Sequence, residues 1–160
     1  MFRKLTLTFL VTSIFFVALA QKNLTVQDIA GSWKLAAFNL GGVYFDFAKD
    51  SIDLDPGIKA TIEKGKEKET FASIKNNLAP YKEGFLRISK DGKYFQRLMG
   101  EEANATYTLE KRNDLYYLIV VNDNAEKTVD TFRVWKDKGW LYIRYESEEG
   151  TVSLLMFEKE

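Results

Sequence analysis

From Gly84 to the C terminus, short apolar segments alternate with turn signals, and no other feature constrains the fold as tightly. Phe85 to Ile88, Tyr94 to Met99, Ala105 to Leu109, Leu115 to Val121, Val129 to Trp135, Trp140 to Tyr145 and Thr151 to Phe157 follow one another. Most of the breaks between them are clear turn chemistry: Lys90-Asp91-Gly92-Lys93, Arg112-Asn113-Asp114, Asn122-Asp123-Asn124, Lys136-Asp137-Lys138-Gly139 and Glu148-Glu149-Gly150. Segments of this length bounded by such residues read as strands, and strands joined by short turns pair with their neighbours. Trp33 to Leu40 supplies an earlier strand, with Trp33, Leu35 and Ala37 on one face. Eight strands in meander order leave two unpaired edges, and closing the sheet removes them. The sequence therefore predicts a mainly β fold: an eight-stranded antiparallel meander β-barrel. Such an interior is just wide enough to be filled by side chains or to hold one small ligand.

The segment before the meander differs. Gly41-Gly42 breaks the first strand, and Val43 to Phe47 is a short apolar piece of open type. Asp55-Pro56 then starts a helix, with Asp as cap and Pro at the first helical position. Ile58 and Ile62 share one face, and Phe71, Ile74 and Leu78 share another. At about 100° per residue, Ile62 and Phe71 would sit on opposite sides of a single straight helix. Two short helices joined near Gly65 and ending before Pro80 resolve the conflict. They form a two-helix insertion after the first strand, and the charged run Glu63 to Glu69 reads as a solvated face. Near the start, Thr25 caps a helical turn to Ala30 with Asp28 as the third residue.

Residues 1–20 read as a secretory signal peptide. Arg3 and Lys4 precede the apolar Leu5 to Leu19, and Ala18-Leu19-Ala20 offers small residues for cleavage, leaving Gln21 first in the mature chain. The stretch is short for a membrane span, which takes about 20 apolar residues. No Cys follows it, which excludes lipoprotein attachment. Residues 21–160 then form the barrel domain of a periplasmic or secreted protein. Two of the 23 basic residues leave with the leader and none of the 23 acidic ones, so the mature chain is close to neutral. That balance speaks against nucleic acid as a partner.

The chain has no Cys and no His. The usual zinc sites, Ser-His and Cys-His nucleophile pairs and haem ligation by either residue are gone with them. We expect no metal, no cofactor and no enzyme. Glu148 and Glu149 form a carboxylate pair, but they sit in a turn.

Ile29-Ala30-Gly31-Ser32-Trp33-Lys34-Leu35 resembles the opening of the calycin barrels, the lipocalins and fatty-acid-binding proteins, whose first strand carries a Gly-x-Trp. The resemblance implies that Trp33 plugs the closed end of the barrel. It also implies that the helical pair acts as a two-helix lid and that the chain is an exported, lipocalin-like protein. The Thr-Asp-Tyr of lipocalins is missing. Val152 to Phe157 lacks the Arg of the Arg-x-Tyr with which fatty-acid-binding proteins grip a carboxylate.

On this reading the barrel binds a small hydrophobic or amphipathic, lipid-like ligand and acts as a monomer. Trp33, Phe85, Phe95, Tyr107, Tyr117, Phe132 and Tyr142 are the aromatics placed to line it. Of the strand arginines, Arg97 or Arg144 is the candidate to point inward. Phe71, Ile74 and Leu78 form the inner face of the lid. The alternative is a non-catalytic periplasmic interaction or inhibitor module, in which the same aromatics pack a filled barrel. Several strands, such as Tyr116 to Val121, are apolar on both faces, so alternation leaves the interior side open.

Overall fold

The computed structural model describes residues 23–146 and 150–160. The leader expected over residues 1–20, Gln21, and the pair Glu148 and Glu149 lie outside the described residues. The chain runs α1 (Val26–Ile29), β1 (Gly31–Leu40), β2 (Val43–Asp46), β3 (Ser51–Leu54), α2 (Pro56–Thr61) and α3 (Glu67–Leu78), then a 3-10 turn at Ala79–Glu83. The meander follows as β4 (Phe85–Ile88), β5 (Lys93–Leu98), β6 (Glu101–Arg112), β7 (Leu115–Asn122), β8 (Val129–Asp137), β9 (Trp140–Glu146) and β10 (Val152–Lys159).

Each meander strand pairs antiparallel with the next, and β10 returns to pair with β1. Strands β1 and β4 to β10 thus form a closed eight-stranded barrel, consistent with a calycin-like fold. Closure depends on β1, which serves three partners. Trp33 to Leu40 runs against β10, Gly31 to Lys34 against β4, and Ala37 to Leu40 against β2. Leu35 opposes Phe157 but Ala37 opposes Met156, so Ala36 is the extra residue of a bulge. The bulge reverses which residues face inward, from Trp33 and Leu35 before it to Phe38 after it, and bends the strand from β4 toward β2. At the branch, the Leu35 N–H donates to the Gly84 carbonyl (2.9 Å). A side chain on Gly84 would meet Leu35 at 2.8 Å.

The two helices and their junction fall where the periodicity places them, but the insertion comes one hairpin later than expected. Gly41 and Gly42, both at positive φ, make a two-residue turn rather than a break, and the apolar piece after it becomes β2. The same turn geometry recurs at Asn113-Asp114 and Lys138-Gly139. Thr25 and Asp28 form the expected capping box.

The core runs through the barrel. Trp33, Phe38, Leu86, Leu118, Leu141 and Phe157 are completely buried. Each large apolar side chain so buried contributes roughly 1.5–3 kcal/mol. Phe38 also joins Phe45, Phe47 and Tyr81 in an aromatic cluster, with centroids 4.9–5.9 Å from it, that fills the gap between β2 and the 3-10 turn.

Candidate functional site

Antiparallel partners share a face, so the pairing register separates lumen from outer surface. From Trp33 and Leu35 the inward set passes to Leu86 and Ile88, then Tyr94, Gln96 and Leu98, then Ala103, Ala105, Tyr107 and Leu109. It continues through Tyr116, Leu118, Val120 and Asn122 to Asp130, Phe132, Val134 and Lys136. Leu141, Ile143 and Tyr145, followed by Ser153, Leu155 and Phe157, complete the circuit.

The two halves of this lumen differ. At the Trp33 end Trp33, Leu35, Leu86, Ile88, Leu118, Val134, Leu141 and Phe157 are all at most 1% exposed, with Leu109 and Tyr116 half-buried at the rim. The Trp33 Nε1–H donates to the Ile29 carbonyl (2.7 Å), and the Lys136 and Lys159 ammonium groups lie 5.5 and 5.7 Å from the Trp33 rings. Leu24 and Val26 pack onto the same end. The Tyr116 hydroxyl donates to Asn23 Oδ1 (3.0 Å), tying the lead-in across it. Together these contacts pack this end of the barrel around Trp33.

At the other end the inward side chains are only half-buried. Leu40, Gln96, Leu98, Ala103, Asn122, Asp130, Phe132, Ser153 and Leu155 are of this kind, and Tyr145 is 40% exposed. The Phe132 and Tyr145 rings tilt against each other at 6.0 Å. Between the halves sits a polar group. The Tyr94 hydroxyl donates to Gln96 Oε1 (2.5 Å), and Asn122 Nδ2 donates to Asp130 Oδ2 (2.7 Å). Burial pushes the Tyr94 hydroxyl pKa well up, and the nearby Asp130 carboxylate adds to the shift, so Tyr94 stays a neutral donor. The open half therefore combines aromatic and aliphatic walls with amide, hydroxyl and carboxylate groups deeper in.

Of the expected lining residues, Trp33, Tyr107 and Phe132 face the lumen. The Tyr107 hydroxyl is committed to the Ser89 carbonyl (2.8 Å). Phe85, Phe95, Arg97, Tyr117, Tyr142 and Arg144 turn to the outer surface, which corrects their expected place. The reason is register: Phe85 pairs with Arg97, Arg87 with Phe95, Tyr117 with Arg133 and Arg133 with Arg144, all opposite in phase to the core set. Neither Arg97 nor Arg144 enters the lumen. Arg97 lies 3.8 Å from Glu102, and Arg144 lies 3.3 Å from Glu146. In their place Tyr94, Gln96, Leu98, Asn122, Asp130, Tyr145 and Leu155 line the open half.

Phe71, Ile74 and Leu78 lie on one face of α3 and are half-buried. Leu78 packs on the core, and Lys75 pairs with Asp50 in the β2–β3 turn. A concavity of about 260 Å³ lies beside this pair, between Phe45, Phe47 and Ala79. Among the described residues no cluster of three or more metal-ligating side chains occurs. No family model, no curated protein and no solved structure matches this chain.

Proposed function

We propose that this is an exported, lipocalin-like, non-catalytic protein that binds a small amphipathic, lipid-like molecule in the Tyr145 half of its barrel. One observation carries the reading. Tyr145 faces inward yet is 40% exposed, while Trp33, Leu35, Leu141 and Phe157 at the other end are at most 1% exposed. Leu98, Phe132 and Leu155 would take an apolar body, and the Tyr94, Gln96, Asn122 and Asp130 group would meet a polar or cationic head. The leader-like residues 1–20 support export.

Native mass spectrometry of protein purified from its own host tests this, together with titration of a neutral phenylnaphthylamine probe. Co-purified lipid, or probe binding that a lipid displaces, is expected. An apo mass with no probe binding overturns the reading.

A second reading is an interaction module, and the outer surface favours it. There Trp135 and Tyr142 stack in parallel at 5.0 Å, with the Arg133 guanidinium 5.3 Å from the Trp135 ring and Arg144 paired opposite Arg133. Half-exposed Trp, Tyr and Arg are the residues that dominate protein interfaces.

A further inference from the structure

We infer that the outer surface of β4 to β7 carries a separate site for a small anion with a planar, apolar body. The inference does not depend on the lumen. A groove of about 670 Å³ crosses these strands, within the range of about 300–1,000 Å³ typical of ligand pockets. Its side-chain floor comes from the face opposite the lumen, with Phe95 on β5, Thr106 on β6 and Val121 on β7, and the inward-facing Tyr94, Ala105 and Asn122 on the same strands also border it. Phe95 is half-buried and tilts against the Phe85 ring, with centroids 6.3 Å apart, which makes an aromatic surface for a flat partner. One wall is Arg87, Ser89 and Lys93, and the other is the loop bearing Asp123 and Lys127. The Asp123 N–H donates to the Asn104 carbonyl (2.8 Å), which holds that loop over β6.

Charge selects the ligand class. The chain as a whole balances 23 bases against 23 acids, yet the groove is lined by Arg87, Lys93 and Lys127 against the single carboxylate of Asp123. Lys127 pairs with Asp123, and Lys93 pairs with Asp91 at 3.3 Å. Arg87 has no carboxylate within ion-pair distance among the described residues, and its guanidinium lies 5.4 Å from the Phe85 ring. A guanidinium beside an aromatic floor suits a carboxylate, sulfonate or phosphate on a planar body, which it meets with paired N–H donors. The Asn104 amide and Thr106 hydroxyl, both exposed, flank the same floor.

Two probes separate this site from the lumen: anilinonaphthalene sulfonate, which is anionic, and phenylnaphthylamine, which is neutral. In the full protein the sulfonate should bind with an affinity that falls as salt rises. It should also shift the backbone amide resonances of Phe95, Thr106 and Val121. Arg87→Glu should weaken the sulfonate at least tenfold and leave the neutral probe unchanged, and Arg87→Gln should fall between. Arg87 is exposed, so the fold should survive, and circular dichroism checks that it does. Sulfonate affinity unchanged in Arg87→Glu, or resonance shifts confined to lumen residues such as Tyr145 and Leu155, would overturn the proposal.

Discussion

Replacing Trp33 with Phe isolates what the plug contributes beyond its bulk. The indole is completely buried, and its Nε1–H donates to the Ile29 carbonyl at 2.7 Å. Phe keeps the six-membered ring and removes the donor. A buried carbonyl left without a partner costs about 1–3 kcal/mol. Phe is smaller than Trp by about 40 Å³, and at roughly 24 cal/mol per Å³ the void adds about 1 kcal/mol. The expected loss is therefore about 2–4 kcal/mol. The flanking Lys136 and Lys159 still face an aromatic ring, so their share changes little. Urea unfolding followed by circular dichroism reads the loss directly. With a slope of about 2 kcal/mol per molar urea, the midpoint should fall by about 1–2 M with the slope unchanged. Trp140 is half-buried, so Trp140→Phe is the control and should cost less than about 1 kcal/mol. A Trp33→Phe loss no larger than the control's would refute the argument that the Trp33–Ile29 bond closes this end.

Three other outcomes are expected. Gly84→Ala forces a methyl to 2.8 Å from both the Leu35 side chain and the Tyr81 carbonyl, so it should cost about 1–3 kcal/mol in the same urea assay. Asp46 is 6% exposed and accepts from the Lys49 backbone N–H (3.0 Å) and ammonium (2.8 Å), which hold its carboxyl below the usual value of 3.8. A depressed folded pKa stabilises above the unfolded value and is lost as pH falls through the folded one. Asp46→Asn should therefore cost about 1 kcal/mol at pH 7, since Lys49 is largely exposed, and the gap to wild type should close in melts below pH 3.8. Ala103→Trp places an indole in the open half of the lumen, and it should weaken the neutral probe at least tenfold while the melting temperature stays within a few degrees.

The meander was legible because its turns are local chemistry. Asn113, Asp114 and Gly139 take positive φ angles that few other residue types favour, and the two turns they build each start the next strand in a fixed register. The β2–β3 hairpin was not legible. Gly41-Gly42 serves equally as a break or as a turn, and β2 and β3 are too short to show a period. The lining of the barrel was half legible, and the turns held more than alternation did. The Asn113-Asp114 turn pairs Arg112 with Leu115, so Tyr107 faces Val120 and Tyr117 faces Glu110. Tyr107 and Tyr117 therefore cannot both point inward. The Lys138-Gly139 turn likewise pairs Asp137 with Trp140 and excludes Phe132 and Tyr142 from one face. No turn links β1 to β4, so the phase of Phe85, Phe95 and Arg97 relative to Trp33 depends on a long-range pairing that local sequence does not encode.

The bulge at Ala36 explains why one end of the barrel is sealed and the other accessible. Before it, β1 lies between β4 and β10, and Trp33 and Leu35 fill a ring of strands on every side. After it, β1 leaves β4 for β2, and its inward Phe38 stacks on Phe45 rather than on the opposite wall. Phe38, which stands opposite Leu155, is drawn toward the aromatic cluster beside the 3-10 turn, and β1 supplies no side chain beyond Leu40 to cover Phe132 and Tyr145. Deleting Ala36 removes the extra residue and leaves a regular strand in which Leu35 and Phe38 still face inward, opposite Phe157 and Leu155. Because Phe38 keeps its inward place, the variant should lose the bend rather than the core, retaining most of its stability in urea while binding the neutral probe at least tenfold more weakly. Unchanged probe binding in the folded deletion variant would show that the bulge does not set the division between the two halves.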